Sequence, residues 1–326
     1  MNAPWSISRP NVKVLDCTIR DGGLVNNHRF SDKFVRAVYD TCVAAGVDYM
    51  EIGYKNSDKF FSREEMGPWK FCNEEDLRRV VGDNPSKLKL ACMADAGKSN
   101  WKHDIIPASE SVLDMIRVAF YDYQIDEALE MIQDASEKGY EVSANMMAIS
   151  VVDEITLDKC LERVAASAAS TIVVVDSYGY LITEQTEYLI KKYMNFASKN
   201  NKEVGIHAHN NQQLAFANTI ESMRHGATRV DATISGLGRG AGNCPMELLL
   251  AFLKDNPKYN LRSIYECLEN EFITLRKELE WGPYPEYMIT GFFNQHPRSA
   301  IKARDSQETK DHYTQFFDQI KAAGNK

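Results

Sequence analysis

The 326-residue sequence predicts an α/β fold, a TIM (β/α)8 barrel with a C-terminal helical extension. Three observations carry that prediction. Eight short, apolar, β-branched runs alternate with longer helix-like stretches across roughly 250 residues, the usual size of such a barrel. Polar and charged residues gather at the C-terminal ends of those runs. After about residue 258 the alternation stops and a purely helical pattern takes over.

Taken in order, the runs are VKVLDCT (12–18), DYMEIGY (48–54), LKLACMA (88–94), MIRVAF (115–120), EVSANMM (141–147), TIVVVDS (171–177), EVGIHAH (203–209) and TRVDATI (228–234). Between and after them, 31–45, about 73–82, about 103–110, 125–138, 154–168, 182–199, 212–225 and 245–254 read as helices. The runs carry few charges until their ends, as strands buried on both faces should. At the ends stand Arg20 and Asp21, Glu51, Asp95, Asp176 and Ser177, His207 and His209, and Asp231. Taken singly, Asp95 or Asp176 followed by Ser177 could begin a turn. A polar rim shared by so many strand ends is better explained as the active-site face of a barrel. Beyond it, LRSIYECLENEFITLRKELEWG reads as one long amphipathic helix ended by Gly282 and Pro283, followed by a Pro-rich aromatic stretch (284–297) and a polar helical tail. The expected division is a barrel domain, 1–258, and an extension, 259–326, serving as lid, dimer element or partner interface.

Composition narrows the function. Hydrophobic residues make up 44% and the formal net charge is -8. No Lys/Arg-rich block is present, which argues against a nucleic-acid partner. The first ten residues contain no apolar signal core, and no run of about 18 apolar residues exists to span a membrane. Seven scattered cysteines, an odd number without a CxxC pair, point to reduced thiols in a cytoplasm.

Three stretches carry chemistry. VKVLDCTIRDGG ends its apolar run at Asp16 and then sets Arg20 beside Asp21 on two glycines. That is either a surface turn or a metal site at the barrel mouth. In GIHAHNN, His207 and His209 are two apart, so on a strand both imidazoles share one face. An H-x-H pair alone is a weak signal. Joined by Asp21, it gives one carboxylate and two imidazoles, a set suited to a divalent ion with open positions. GLGRGAGNCP (236–245) is either a flexible turn or a backbone wrapped around a site with the Asn243 oxygen facing in. Its glycine spacing is not a dinucleotide fingerprint, because it follows the last strand and no first βαβ unit surrounds it.

Together DCTIRDGG (16–23), YMEIGY (49–54), VVDSYGY (174–180) and the segment from Gly205 to Leu248 resemble the DRE-TIM metallolyase superfamily, the group of hydroxymethylglutaryl-CoA lyase. The resemblance implies that Asp21, His207 and His209, with Asn243, hold a divalent metal, Mn or Mg first and Co or Zn also compatible. It implies that Arg20 faces the developing enolate oxygen, that Glu51 orients Arg20, and that Gly22, Tyr54, Ser177 and Gly240 neighbour the substrate. The condensing synthases of the superfamily read H-x-H-N-D and G-x-G-E-R-A-G-N, whereas this chain reads HAHNN and GLGRGAGN. It is closer to the 4-hydroxy-2-oxovalerate aldolases, HAHHN and GxGAGAGN, which also carry a helical extension. Two positions depart from that branch: Leu24 stands where its loop histidine is expected, and Ile289 where its tail has tyrosine. His28 matches a second loop histidine and becomes the candidate base, ahead of Tyr54, Lys55 and His296. The implied reaction is metal-dependent cleavage of a 4-hydroxy-2-oxo acid to pyruvate and an aldehyde. The alternatives are a Claisen-type condensation of an acyl-CoA with a 2-oxo acid, or a catalytically altered, partner-dependent barrel. By analogy the partners are a small 2-oxo acid and aldehyde, an aldehyde dehydrogenase and further copies of the chain.

Overall fold

A computed structural model describes residues 9–324. Eight parallel strands close a barrel in sequence order: β1 (Lys13–Asp16), β2 (Tyr49–Tyr54), β3 (Lys89–Asp95), β4 (Met115–Phe120), β5 (Glu141–Met146), β6 (Thr171–Asp176), β7 (Glu203–Ala208) and β8 (Arg229–Ala232). Val14 of β1 pairs with Val230 of β8, which shuts the ring. Around it lie α1 (Thr18–Gly22), α2 (Asp32–Ala45), α3 (Glu74–Val81), α4 (Trp101–Asp104), α5 (Ile125–Glu137), α6 (Glu154–Ala166), α7 (Thr183–Ser198), α8 (Ala215–Arg224) and α9 (Met246–Phe252). Local signals set several ends. The Ser31 hydroxyl accepts from Phe34 N–H to open α2, and Gly46, at φ 71°, closes it. Asp153 caps α6 in the same way.

Strand periodicity sorts the core. Val14, Met50, Leu90, Ile116, Val142, Ile172, Val204 and Val230 face outward into one hydrophobic layer against the helices. Their neighbours point into the barrel, and there the charge expectation fails. Arg117 of β4 is 1% exposed and reaches Glu51 of β2 at 2.9 Å and Asp231 of β8 at 2.5 Å, spanning the barrel's middle. Below it, Arg229 joins Glu141 at 2.7 Å, and Lys89 joins the same Glu141 at 2.9 Å. Charges within the strands, Arg117 in mid-strand and Lys89, Glu141 and Arg229 at strand starts, are thus tolerated because each is answered by a neighbouring or facing strand.

Other boundaries shift for identifiable reasons. β1 stops at Asp16, not 18, because the Asp16 carboxylate accepts from Thr18 N–H (3.0 Å) and Thr18 Oγ1 (2.5 Å) and turns the chain into α1. The two glycines are therefore no left-handed turn: Gly22 is the last residue of α1, and Gly23 sits at φ -59°. The expected helix at 103–110 is split by Pro107 into α4 and a 3₁₀ turn, Ala108–Glu110. The long helix after 258 runs as α10 (Leu261–Cys267), a π-helical turn (Leu268–Phe272) and α11 (Ile273–Glu278). It ends before Gly282 because Trp281 turns inward, its Nε1 donating to Ser235 O at 3.0 Å. The aromatic stretch contains α12 (Pro285–Phe292), opened by its proline, and α13 (Arg298–Asp305) and α14 (Tyr313–Gly324) follow.

Ile264, Cys267, Phe272 and Trp281 belong to the main core, whereas Tyr287, Ala300, Ala303, Phe316 and Ile320 form a second cluster that reaches Ala241. Through it α12–α14 rest on the loop after β8. All seven cysteines are buried and unpaired. Among the described residues, no helix is long and apolar enough to cross a membrane.

Candidate metal centre and active site

Asp16 begins the construction of the site. Its carboxylate holds Thr18, and Thr18 Oγ1 accepts from Ile234 N–H at 2.9 Å, tying α1 to the loop after β8. That places Arg20 and Asp21, on the same short helix, over the C-terminal mouth of the barrel. β7 delivers His207, and His209 follows its end with a bridge to Asn243.

The buried atoms without a hydrogen-bond partner include Asp21 Oδ2, His207 Nε2, His209 Nε2 and Asn243 Oδ1. Asp21 Oδ2 lies 3.6 Å from His207 Nε2 and 3.5 Å from His209 Nε2. Ligand atoms of these three side chains all fall within 4.8 Å of one another. The far nitrogens are engaged. His207 Nδ1 meets Asp231 Oδ2 at 3.0 Å, and His209 Nδ1 donates to Asp176 O at 2.9 Å, which leaves the Nε2 lone pair aimed at the centre. Asn243 is oriented likewise, its Nδ2 donating to Leu237 O at 3.1 Å. Such a set fits a divalent ion: it consists of orphaned acceptors, converging and backed by outer partners.

Charge is arranged around it. Arg20 donates from Nε to Glu51 at 2.7 Å and from NH1 to Asp21 at 2.5 Å, while its NH2 has no partner. Glu51 Oε2 also receives Arg117, so Glu51 holds two guanidiniums at fixed positions. Burial works against ionisation of Asp21, but Arg20 and the two imidazoles outweigh it and hold the carboxyl well below the usual range. Burial also lowers His209. For His207 burial and Arg20 are outweighed by Asp21 and Asp231, which raise it.

These groups open on a cavity of about 80 Å³. Arg20, Asp21, Tyr54, Ser177, His207 and His209 line it, with Asn145, Arg239 and the apolar Leu24, Met93, Ala119, Met147 and Val175. Larger depressions of about 520 and 660 Å³ lie at the opposite end of the barrel, around Lys13, Asp48 and Lys258, and none of the convergent atoms faces them. The remaining sequence candidates sit outside the lining. His28 is packed behind Tyr54, ring edge to face at 5.3 Å, and burial followed by Lys70 and Arg20 keeps its pKa well below the ordinary imidazole value. A Cβ on Gly22 would lie 2.6 Å from Leu237, and one on Gly23 would fall on the His28 ring, so both glycines serve close approach. Gly240, at φ 67°, packs on Tyr287 and Pro297. Lys55 Nζ donates to Cys72 O at 2.7 Å. His296 caps the mouth, with Nε2 3.2 Å from Arg239, its ring against Tyr178, and a pKa lowered by burial to about 3. Asp176 accepts from the N–H groups of Tyr180 and Leu181, the turn-forming role open to it in the sequence.

Three site residues, Arg117, Asn145 and Arg239, escaped sequence reasoning, and Asp231 was read only as part of the polar rim, without a role. Arg117 and Asp231 act across the barrel on Glu51 and His207. Asn145 presents an unpartnered Nδ2 in a cavity-lining position. Arg239 was visible only as a departure from the glycine-loop motif.

The HMGL-like family pattern matches residues 11–269. A Bacillus cereus 4-hydroxy-2-oxovalerate aldolase is 32% identical over 253 residues, covering 77% of this chain and 71% of that protein. A Mycobacterium tuberculosis oxaloacetate decarboxylase is 29% identical over 243 residues, covering 74% of this chain and 69% of its own. Among solved structures, the N-terminal domain of a Bacteroides vulgatus protein assigned as an aldolase superposes with TM-score 0.78 at 29% identity, covering 91% of this chain and 98% of that one. The motif resemblance, the closed eight-stranded barrel and these matches agree, and the chain is an enzyme of the HMGL-like family.

Proposed function

We propose that this enzyme cleaves the C3–C4 bond of a 4-hydroxy-2-oxo acid, releasing pyruvate and an aldehyde, with a divalent metal held by Asp21, His207, His209 and Asn243. The observation that carries the reading is the convergence of the unpartnered ligand atoms of Asp21, His207 and His209, with Asn243 bridged to His209, alongside the free NH2 of Arg20. When bound, the metal supplies Lewis-acid polarisation of the 2-oxo group.

The chain's own groups do the rest. Arg20 is pinned by Glu51 and Asp21 and donates its free NH2 to the oxygen that gains charge as the C–C bond breaks. Ser177 Oγ accepts from Ala148 N–H at 2.8 Å, so its own proton is free to hold the substrate carboxylate. Asn145 Nδ2 offers a further donor. Tyr54, whose pKa burial raises, stays protonated at neutral pH and is the lining hydroxyl available to return a proton to C3 of the product. His28 acts as a positioning residue through its packing against Tyr54. Met93, Ala119, Met147 and Val175 exclude water from the reacting carbon.

Decarboxylation of a 2-oxo diacid would pass through the same enolate, and the name of the mycobacterial relative favours it as the second reading. Pyruvate release, coupled to lactate dehydrogenase, separates the two. Metal-dependent pyruvate from 4-hydroxy-2-oxo acids, with an aldehyde as co-product, supports the aldolase. Pyruvate from oxaloacetate alone, with carbon dioxide, replaces it by the decarboxylase. No pyruvate from either, with metal bound, overturns both.

A further inference from the structure

Inside the barrel mouth, arginines are matched by carboxylates with one exception. Arg20 pairs with Asp21 and Glu51, and Arg117 pairs with Glu51 and Asp231. Arg239 lines the same cavity, yet among the described residues it makes no ion pair, and its buried Nε has no hydrogen-bond partner. Among the described residues its one side-chain hydrogen-bond partner is His296, whose Nδ1 accepts from Arg298 N–H at 3.0 Å. Arg239 also starts close to the reacting centre. A Cβ on the preceding Gly238 would fall on Asn243 Nδ2 and lie 3.2 Å from Asp21 Oδ2.

The charge count points the same way. Arg20, Arg117 and Arg239 face Asp21, Glu51 and Asp231, three against three. A divalent ion adds two positive charges, and the carboxylate of a 2-oxo acid answers one. Among these six side chains, the ion and the substrate, one positive charge is left, on the partly buried guanidinium that has no carboxylate partner.

We propose that Arg239 is a specificity-determining residue that selects substrates carrying a second carboxylate on the fragment leaving as the aldehyde. This rests on the lyase reading above and narrows its substrate class to dianionic 4-hydroxy-2-oxo acids. For 4-hydroxy-2-oxoglutarate the proton of the C4 hydroxyl passes to solvent as C4 becomes the carbonyl of glyoxylate, the C3–C4 electron pair passes to the pyruvate fragment as its enolate, and C3 takes a proton from Tyr54, which solvent restores, to give pyruvate. Arg239 holds the C5 carboxylate throughout.

The test uses two five-carbon ligands that cannot undergo this cleavage and differ only at the far end: 2-oxoglutarate, with a terminal carboxylate, and 2-oxopentanoate, with a methyl. Binding to the Mn-loaded protein is measured by calorimetry. Wild type is expected to favour 2-oxoglutarate by about tenfold to a hundredfold, the scale of one charge-assisted contact. Arg239→Gln is expected to abolish that preference and Arg239→Lys to keep part of it. Equal binding of both ligands to wild type, or a preference that survives in Arg239→Gln, overturns the proposal. Cleavage assays with 4-hydroxy-2-oxoglutarate and 4-hydroxy-2-oxopentanoate separate it from the reading beneath it. Pyruvate from both without discrimination leaves the lyase standing and removes Arg239 from selection. An Arg239-dependent binding preference without pyruvate from either sustains anion recognition and removes the aldolase reading.

Discussion

Arg20 divides one guanidinium three ways: Nε is fixed by Glu51, NH1 by Asp21, and NH2 has no partner, which makes it the donor that the proposed mechanism offers to the substrate. Replacing it by Gln removes the donor while Asp21, His207, His209 and Asn243 remain. Arg20→Gln is therefore expected to lower kcat about a hundredfold, the usual scale for losing such a donor, with stoichiometric metal by elemental analysis. Activity within a few-fold of wild type removes Arg20 from catalysis. The complementary change is Asp231→Asn. Asp231 is not among the residues lining the cavity; it meets His207 Nδ1 and also holds Arg117. Metal affinity measured by competitive chelation is expected to fall about 10- to 100-fold, as for other losses of a partner behind a metal-bound histidine. Unchanged affinity shows that His207 needs no orientation.

Short elements set the site's geometry, and α1 is the most consequential. It exists because Asp16, inside the protein, is satisfied by Thr18. Burial nevertheless raises the Asp16 pKa to about 7, against 3.8 for the free side chain. The folded protein thus favours the protonated acid, so this group weakens stability progressively as pH rises from about 4 through 7, with no further loss above. Asp16→Asn keeps the shape without the charge. Its melting temperature relative to wild type is expected to be more favourable at pH 8 than at pH 5, and an identical difference at both contradicts a charged, buried Asp16. This element also marks how far sequence reading reaches. Asp21, His207 and His209 were legible because their types and spacing are local and chemically unusual. The strands were legible from their outward faces, where Val14, Ile116 and Val230 keep a two-residue period. Arg117 was not, because its partners lie 66 and 114 positions away, on other strands. His28 looked like a loop histidine, and only the fold shows it sealed behind Tyr54. The cut at 258 followed a change of rhythm, while packing follows Trp281, which no periodicity links to Ser235.

At the scale of the whole molecule, the barrel and the first part of the extension share a core. Ile264, Cys267, Phe272 and Trp281 lie in the main hydrophobic layer. A chain ending at 258 would uncover that layer, at several kcal/mol for each large side chain lost. It is expected to aggregate or melt without cooperativity, whereas a chain ending at 282 keeps a cooperative melt by circular dichroism. A cooperative melt of the shorter chain within a few degrees of full length contradicts this shared core. A practical consequence follows from the burial of every native sulfhydryl. The outer surface offers thiol-reactive dyes nothing to label, so one engineered cysteine becomes a unique address without removal of the other seven. Placed at Phe317, which is 36% exposed on α14, a single fluorophore would watch the terminal helices against the catalytic mouth while substrate enters and product leaves.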